Sequence, residues 1–268
     1  MTLIAGFNCR DGLLVCADME EVGVGASKRK INKLFFRDIG GCKIVFTGAG
    51  SSAVIDNAIK RMDDEIRNGR AISGDSEVQD LVDSTLLTVY EKYVWPNLHV
   101  DHSINLLVGY SPPGTLTENL WITHDIVTTP EVRYVCAGIG QDLANYFADR
   151  LYHPHYSEQQ MVRLATFIFR QVKQNISGVG QGTQMWMLRK GGDAKFYNYT
   201  EIEVLENGLP SFEVNLLDYS KVLLGRSIFP LLPFDLDVPY VEVCTQEDGY
   251  FKGTGFRNPR KISELTFK

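Results

Sequence analysis

The chain has 268 residues, 44% hydrophobic and 22% charged, with a formal net charge of −6. That length and composition suit a soluble globular fold with a large core. An acidic balance with both signs interspersed argues against nucleic acid or an anionic membrane as a partner. No apolar run reaches the roughly 20 residues that span a bilayer, and no signal peptide opens the chain, so a cytoplasmic protein is expected. The five cysteines, at positions 9, 16, 42, 136 and 244, are odd in number and lie mostly in apolar runs. They read as buried, reduced thiols rather than a disulfide framework. Neither CxxC nor HExxH spacing occurs, and His99, His102, His153 and His155 read as surface or loop histidines, so no metal and no other cofactor is expected.

In chain order, residues 2–18 are two apolar runs broken by Asp11-Gly12, a strong hairpin signal. Residues 31–48 repeat the form, with Asp38-Ile39-Gly40-Gly41 as the turn. Gly48-Ala49-Gly50-Ser51-Ser52 then opens a helix, because Ile55, Ala58/Ile59, Met62 and Ile66 recur at helical spacing. Gly69 ends it, and a second helix from about Ser76 to Tyr93 is terminated by Trp95-Pro96. Strand character returns at 104–110, 120–123 and 132–138. Gly138-Ile139-Gly140-Gln141 opens a third helix, and Ser157 caps a fourth carrying Met161, Leu164/Ala165, Ile168 and Val172. Two more strands are expected near 183–190 and 194–205. From about Leu205 the texture becomes irregular and Pro-punctuated, yet rich in Phe229, Leu231, Leu232, Phe234 and Tyr240; such a segment should be ordered by packing. Strands, two helices, strands, two helices, strands is an α+β order. Helix pairs on the outer faces of two stacked sheets would cover every apolar face.

Thr2 stands directly behind Met1. Removal of Met1 would leave a hydroxyl beside a free α-amine of pKa about 8, the minimum equipment of an N-terminal nucleophile. The order then resembles that of proteasome β-type subunits and bacterial proteasome-like (HslV-like) peptidases among the N-terminal-nucleophile hydrolases. The pattern consists of an N-terminal Thr, a hairpin, an Asp closing the second strand, a Lys opening the third and a Gly before a long helix. The resemblance covers about residues 2–200. It implies a four-layer αββα sandwich over residues 1–205, with 206–268 a C-terminal extension packed on the domain or on a neighbouring subunit.

By the same resemblance Thr2 is the nucleophile and its amine the general base. Asp18, 16 residues on, holds Lys33, and Gly48 supplies an oxyanion-binding N–H. Lys33 stands one residue nearer the Asp than the family pattern has it, which leaves Lys30 as the alternative. Three positions depart from the pattern. Ile139 stands where the family has a serine between two glycines. Glu20 and Glu21 replace the usual Arg. The turn after the fourth helix lacks an acidic residue, with Asn175 or Ser177 as substitutes in the shell around the amine.

The implied activity is threonine-type peptidase action on peptide or unfolded protein within a homo-oligomeric ring of six or seven subunits; an ATPase or unfoldase partner is left open. A catalytically silent ring subunit and an N-terminal-nucleophile amidase acting on a small molecule are the alternatives. Gly48-Ala49-Gly50 is not a dinucleotide fingerprint, because it lacks the third glycine and a βαβ setting.

Overall fold

The computed structural model describes residues 2–22, 27–72, 74–97, 99, 104–113 and 118–208, together with the backbone of two strands within 241–256. The chain forms two compact units, Met1–Leu216 and Leu217–Lys268. In the first, Leu3–Cys9 (β1) and Gly12–Asp18 (β2) form the expected hairpin, in register from Ile4↔Ala17 to Cys9↔Gly12. Gly12 is required at the turn: its φ is +150°, and a Cβ there would fall 2.0 Å from the Leu188 carbonyl oxygen.

A short hairpin that the sequence reading did not anticipate follows, Glu20–Val22 (β3) against Lys28–Lys30 (β4). Then come Phe35–Ile39 (β5), Cys42–Gly50 (β6) and the helices Ser52–Arg67 (α1) and Asp75–Val89 (α2). Beyond Val89 the helical turns loosen and then tighten, ending at Asn97 just past Trp95-Pro96.

The chain continues through Ile104–Ser111 (β7), Asn119–His124 (β8), Val127–Glu131 (β9) and Tyr134–Gly138 (β10). The strand expected at 132–138 is β10; β9, directly before it, is not in the sequence reading and belongs to the other sheet. β9 pairs with β8, while β10 crosses over to pair with β1. Pro130 sits in β9, which is an edge strand, the place in a sheet where a missing N–H is tolerated.

Gln141–Leu151 (α3) and Glu158–Asn175 (α4) follow, the latter opened by a capping box in which Ser157 and Gln160 satisfy each other's backbone N–H groups. Thr183–Arg189 (β11) and Asp193–Tyr197 (β12) close the first sheet. The strand expected at 194–205 ends at Tyr197, and residues 199–208 are helical. Ile202 and Val204 alternate with glutamates as in a strand, yet Ile202 is fully buried whereas Val204 is exposed. The start is set instead by Asn198, whose side chain accepts from the Thr200 and Glu201 N–H groups while Glu201 accepts from the Asn198 N–H.

The two five-stranded sheets run β10-β1-β2-β11-β12 and β5-β6-β7-β8-β9. α3 and α4 cover the first sheet, α1 and α2 the second, and β1 and β2 face β6 and β7. This is the αββα order of the sequence expectation. Strand alternation makes the layers possible. Val45 joins Ile4, Leu13, Val15, Leu107, Leu120, Ile122 and Leu188 between the sheets, while its neighbours Ile44 and Phe46 join Ile55, Ile59, Met62, Leu81 and Leu86 beneath the helices. Each such side chain fully buried contributes about 1.5–3 kcal/mol.

In the second unit, Val241–Glu247 (β13) and Tyr250–Phe256 (β14) pair antiparallel. This is regular structure where an irregular segment was expected; Asp248-Gly249, between the two strands in sequence, is the hairpin signal that was passed over. Phe229, Leu231, Leu232, Phe234 and Tyr240 lie outside the described residues. Cys9, Cys16, Cys42 and Cys136 are free and buried, and burial pushes the Cys136 thiol up to about 12. No described helix is long and apolar enough to cross a membrane.

Candidate functional site

Thr2, Asp18 and Lys33 meet at the end of the β1–β2 hairpin. Leu3 pairs with Gly138 of β10 and Ile4 with Ala17 of β2, which sets Thr2 beside the last residue of β2. Thr2 Oγ donates to Asp18 Oδ1 and accepts from Lys33 Nζ at 2.5 Å. Lys33 Nζ also donates to Asp18 Oδ1 at 2.9 Å and to the Glu20 carbonyl at 2.5 Å. The ammonium therefore has its three donors placed. Thr2 and Asp18 are buried, and Lys33 is 9% exposed. Burial pulls the Lys33 ammonium below the ordinary lysine value, and the Asp18 carboxylate restores part of the loss.

Asp18 does more than hold the lysine. Its Oδ1 also accepts from the Leu3 N–H at 3.0 Å, and its Oδ2 from the Glu20 and Gly180 N–H groups at 3.0 and 3.1 Å. Gly180 belongs to the turn after α4, and the Gly180 and Gly182 carbonyls both accept from the Met19 N–H. The turn thus clamps the end of β2 from its far side. A Cβ at Gly180 would lie 2.6 Å from Glu20 Oε2, so the glycine permits the close approach. Sequence reasoning named this segment without assigning Gly180 a role; its alternating glycines, at 178, 180 and 182, were the available signal.

Thr2 and Lys33 open onto a cavity of about 420 Å³ that is also lined by Gly48, Ser51, Ser52, Glu21, Ile55 and Asp56. Gly48 stands in β6 opposite Leu106. A Cβ there would press to 3.0 Å on the Ile55 side chain, so the glycine keeps that part of the cavity open. Gly50, Ser51 and Ser52 bring the N-terminus of α1 to the same cavity, and Ser51 makes no side-chain cap. A helix N-terminus with its first N–H groups uncapped favours developing negative charge.

Gly138 is the other close approach. With φ +102°, a Cβ on it would sit 2.3 Å from the Thr2 carbonyl oxygen. Lys30, the alternative lysine, lies instead over the Tyr199 ring at 3.2 Å from its centroid. Ile139 is 51% exposed. Asn175 and Ser177 are also exposed; Asn175 donates to the Gln171 carbonyl, and neither residue lines the cavity. Met1 lies outside the described residues. Among the described residues no group of three or more His, Cys, Asp or Glu could hold a metal ion.

The model of the proteasome subunit family matches residues 2–188. The chain belongs to the proteasome subunit family. Among solved structures it is similar to Anbu (ancestral beta-subunit) from Yersinia bercovieri, at 15% identity and TM-score 0.71, covering 85% of this chain and 99% of that one. It is similar also to the chain in the helical assembly of the Anbu complex from Pseudomonas aeruginosa, at 16% identity and TM-score 0.69, covering 86% and 100%. An Anbu Gly-1 mutant from Hyphomicrobium sp. strain MC1 gives 13% identity and TM-score 0.71, covering 83% and 100%. At these identities the likeness is one of fold. No curated protein matches the sequence.

Proposed function

We propose that this chain is a threonine-type, N-terminal-nucleophile peptidase that acts on peptide or unfolded protein once Met1 is removed, within a homo-oligomeric ring. The observation that carries the reading is Lys33 Nζ bonded at once to Thr2 Oγ and Asp18 Oδ1 beside an open cavity. In this reading the Thr2 amine takes the hydroxyl proton through a water, and Oγ bonds to the substrate carbonyl carbon. The Lys33 cation steadies the alkoxide. The oxyanion is met by the Gly48 N–H and the α1 N-terminus. Collapse breaks the peptide C–N bond, the proton passes to the leaving amine, and an ester to Thr2 remains. Water, activated by the same amine, then hydrolyses the ester and regenerates Thr2. Gly180 and Glu20 act as positioning residues through their backbone groups. Family membership, together with the helical assembly of the Anbu complex from Pseudomonas aeruginosa, supports self-association. The reading requires no metal or cofactor and leaves an ATPase partner open.

A silent ring subunit is the second reading. It is favoured by Ile139, whose exposed apolar side chain has no hydrogen-bonding group to offer the amine, and by Asn175 and Ser177, which are exposed and do not line the cavity. Peptide-library hydrolysis by protein whose N-terminus is verified as Thr2 separates the two. Thr2→Ala is expected to abolish turnover, and Lys33→Ala to lower it by roughly 10²–10³. Turnover that survives Thr2→Ala would rule the mechanism out, and none in fully processed protein would favour the silent subunit.

A further inference from the structure

Groups of both electrical signs line the cavity beside Thr2. Gly48, Ser51 and Ser52 bring the partial positive charge of the α1 N-terminus, which fades within a turn. Asp56, one turn beyond Ser52 on the same helix, and Glu21 on β3 line it as well. Burial, and then the charge of Glu21, push the Asp56 carboxyl above its ordinary value, so the two carboxylates sense one another.

The nearby lysines are spent elsewhere. Lys33 is held by Asp18 at 2.9 Å and Lys28 by the buried Glu20 at 2.9 Å. Arg29 stands opposite Glu21 in the β3–β4 pairing, yet among the described residues Glu21 and Asp56 make no ion pair. Ile31, Phe35 and Ile55 add apolar wall to the same cavity.

We propose that the cavity lined by Glu21 and Asp56 receives the side chain of the residue whose carbonyl Thr2 attacks, and that the site prefers lysine or arginine there. The inference rests on the reading of Thr2 as nucleophile. A reacting carbonyl carbon must lie about 3–3.5 Å from Thr2 Oγ. The Cβ of that residue is two bonds further on, so its side chain enters the adjoining cavity. A long cationic side chain lays its methylene stem on Ile31, Phe35 and Ile55 and carries its charge to Glu21 and Asp56. A neutral chain of equal length gains the stem contact alone. An acidic side chain meets two unpaired carboxylates and is repelled.

The test uses protein with a verified Thr2 terminus and four fluorogenic peptide amides that differ only before the scissile bond, in arginine, lysine, norleucine or glutamate. We expect kcat/KM for arginine and lysine to exceed that for norleucine by about tenfold or more, with glutamate last. The advantage should shrink as ionic strength rises. In Glu21→Gln/Asp56→Asn the arginine-to-norleucine ratio should fall about tenfold, and Asp56→Lys should raise the glutamate-to-arginine ratio. Norleucine or glutamate cleaved as well as arginine, or a ratio unmoved in the double variant, would overturn the preference and leave the nucleophile reading intact.

Binding of acetyl-arginine amide and acetyl-norleucine amide to the Thr2→Ala protein, followed by NMR, separates the converse case. Tighter binding of the arginine amide, lost in the double variant, supports the acidic subsite even where no peptide is cleaved. Equal binding of the two overturns it.

Discussion

Asp18 accepts five hydrogen bonds, from Thr2 Oγ, Lys33 Nζ and the Leu3, Glu20 and Gly180 N–H groups. The sequence reading gave it one task, holding Lys33. Replacing it by Asn leaves one acceptor oxygen, and the amide NH₂ must face either the ammonium or two buried N–H donors. Each arrangement strands buried donors, at a cost of roughly 2–4 kcal/mol. We expect Asp18→Asn to lower the melting temperature by several degrees as well as turnover, measured by thermal denaturation and peptide hydrolysis on one preparation. Lost activity with unchanged melting would show that the clamp contributes nothing to stability. Thr2, Asp18, Lys33 and Gly48 were legible because spacing and residue type mark them. The Gly180 N–H and the Glu20 carbonyl were not, because every residue carries such groups and only the fold shows which ones point at the site. Gly138 is a second case. A Cβ 2.3 Å from the Thr2 carbonyl, at φ +102°, forces backbone to move, so Gly138→Ala should misplace Thr2 and reduce hydrolysis at least tenfold. Gly69 also has a positive φ, but its added Cβ meets nothing within 4 Å. Gly69→Ala therefore serves as the control for backbone strain alone, and equal losses in the two variants would refute the argument from close approach.

At the scale of elements, the helices and long strands followed their periodicity, and the departures have local causes. Pro130 hid β9, and the Ile202/Val204 alternation concealed a helix that the Asn198–Glu201 cap announces. The junction of α4 with β11 carries a further testable contact. Arg189 donates to both oxygens of Glu158 at 2.7 and 2.9 Å, and the Tyr197 hydroxyl donates to it as well. The Arg189 hydrogen bonds, opposed by burial and aided by Tyr197, hold the Glu158 carboxyl below the ordinary glutamate value of 4.5. A depressed folded value stabilises the fold above the unfolded value, and the contribution is lost as pH falls through the folded one. Glu158→Gln should thus cost about 1–2 kcal/mol at pH 7. In urea titrations the gap to wild type should close below about pH 4.5. A gap independent of pH would mean that shape, not charge, does the holding.

For the whole molecule, the two sheets and four helices through Tyr197 bury most of the apolar residues that the sequence offers there, and residues 199–208 add the buried Ile202. The layer order was legible because each amphipathic face needs a partner and few arrangements supply one for all of them. Residues 209–268 still hold Phe229, Leu231, Leu232, Phe234 and Tyr240, too much apolar surface to leave in water. A chain ending at Gly208 keeps every element of the sandwich, so secondary structure by circular dichroism should persist. If the extension covers its own domain, the truncated protein should lose solubility or melt earlier. If it joins neighbouring subunits, native mass spectrometry should find a smaller assembly with unchanged melting. Either outcome gives the segment a packing role, whereas a truncated protein equally soluble, equally heat-stable and of unchanged oligomeric mass would show that it has none.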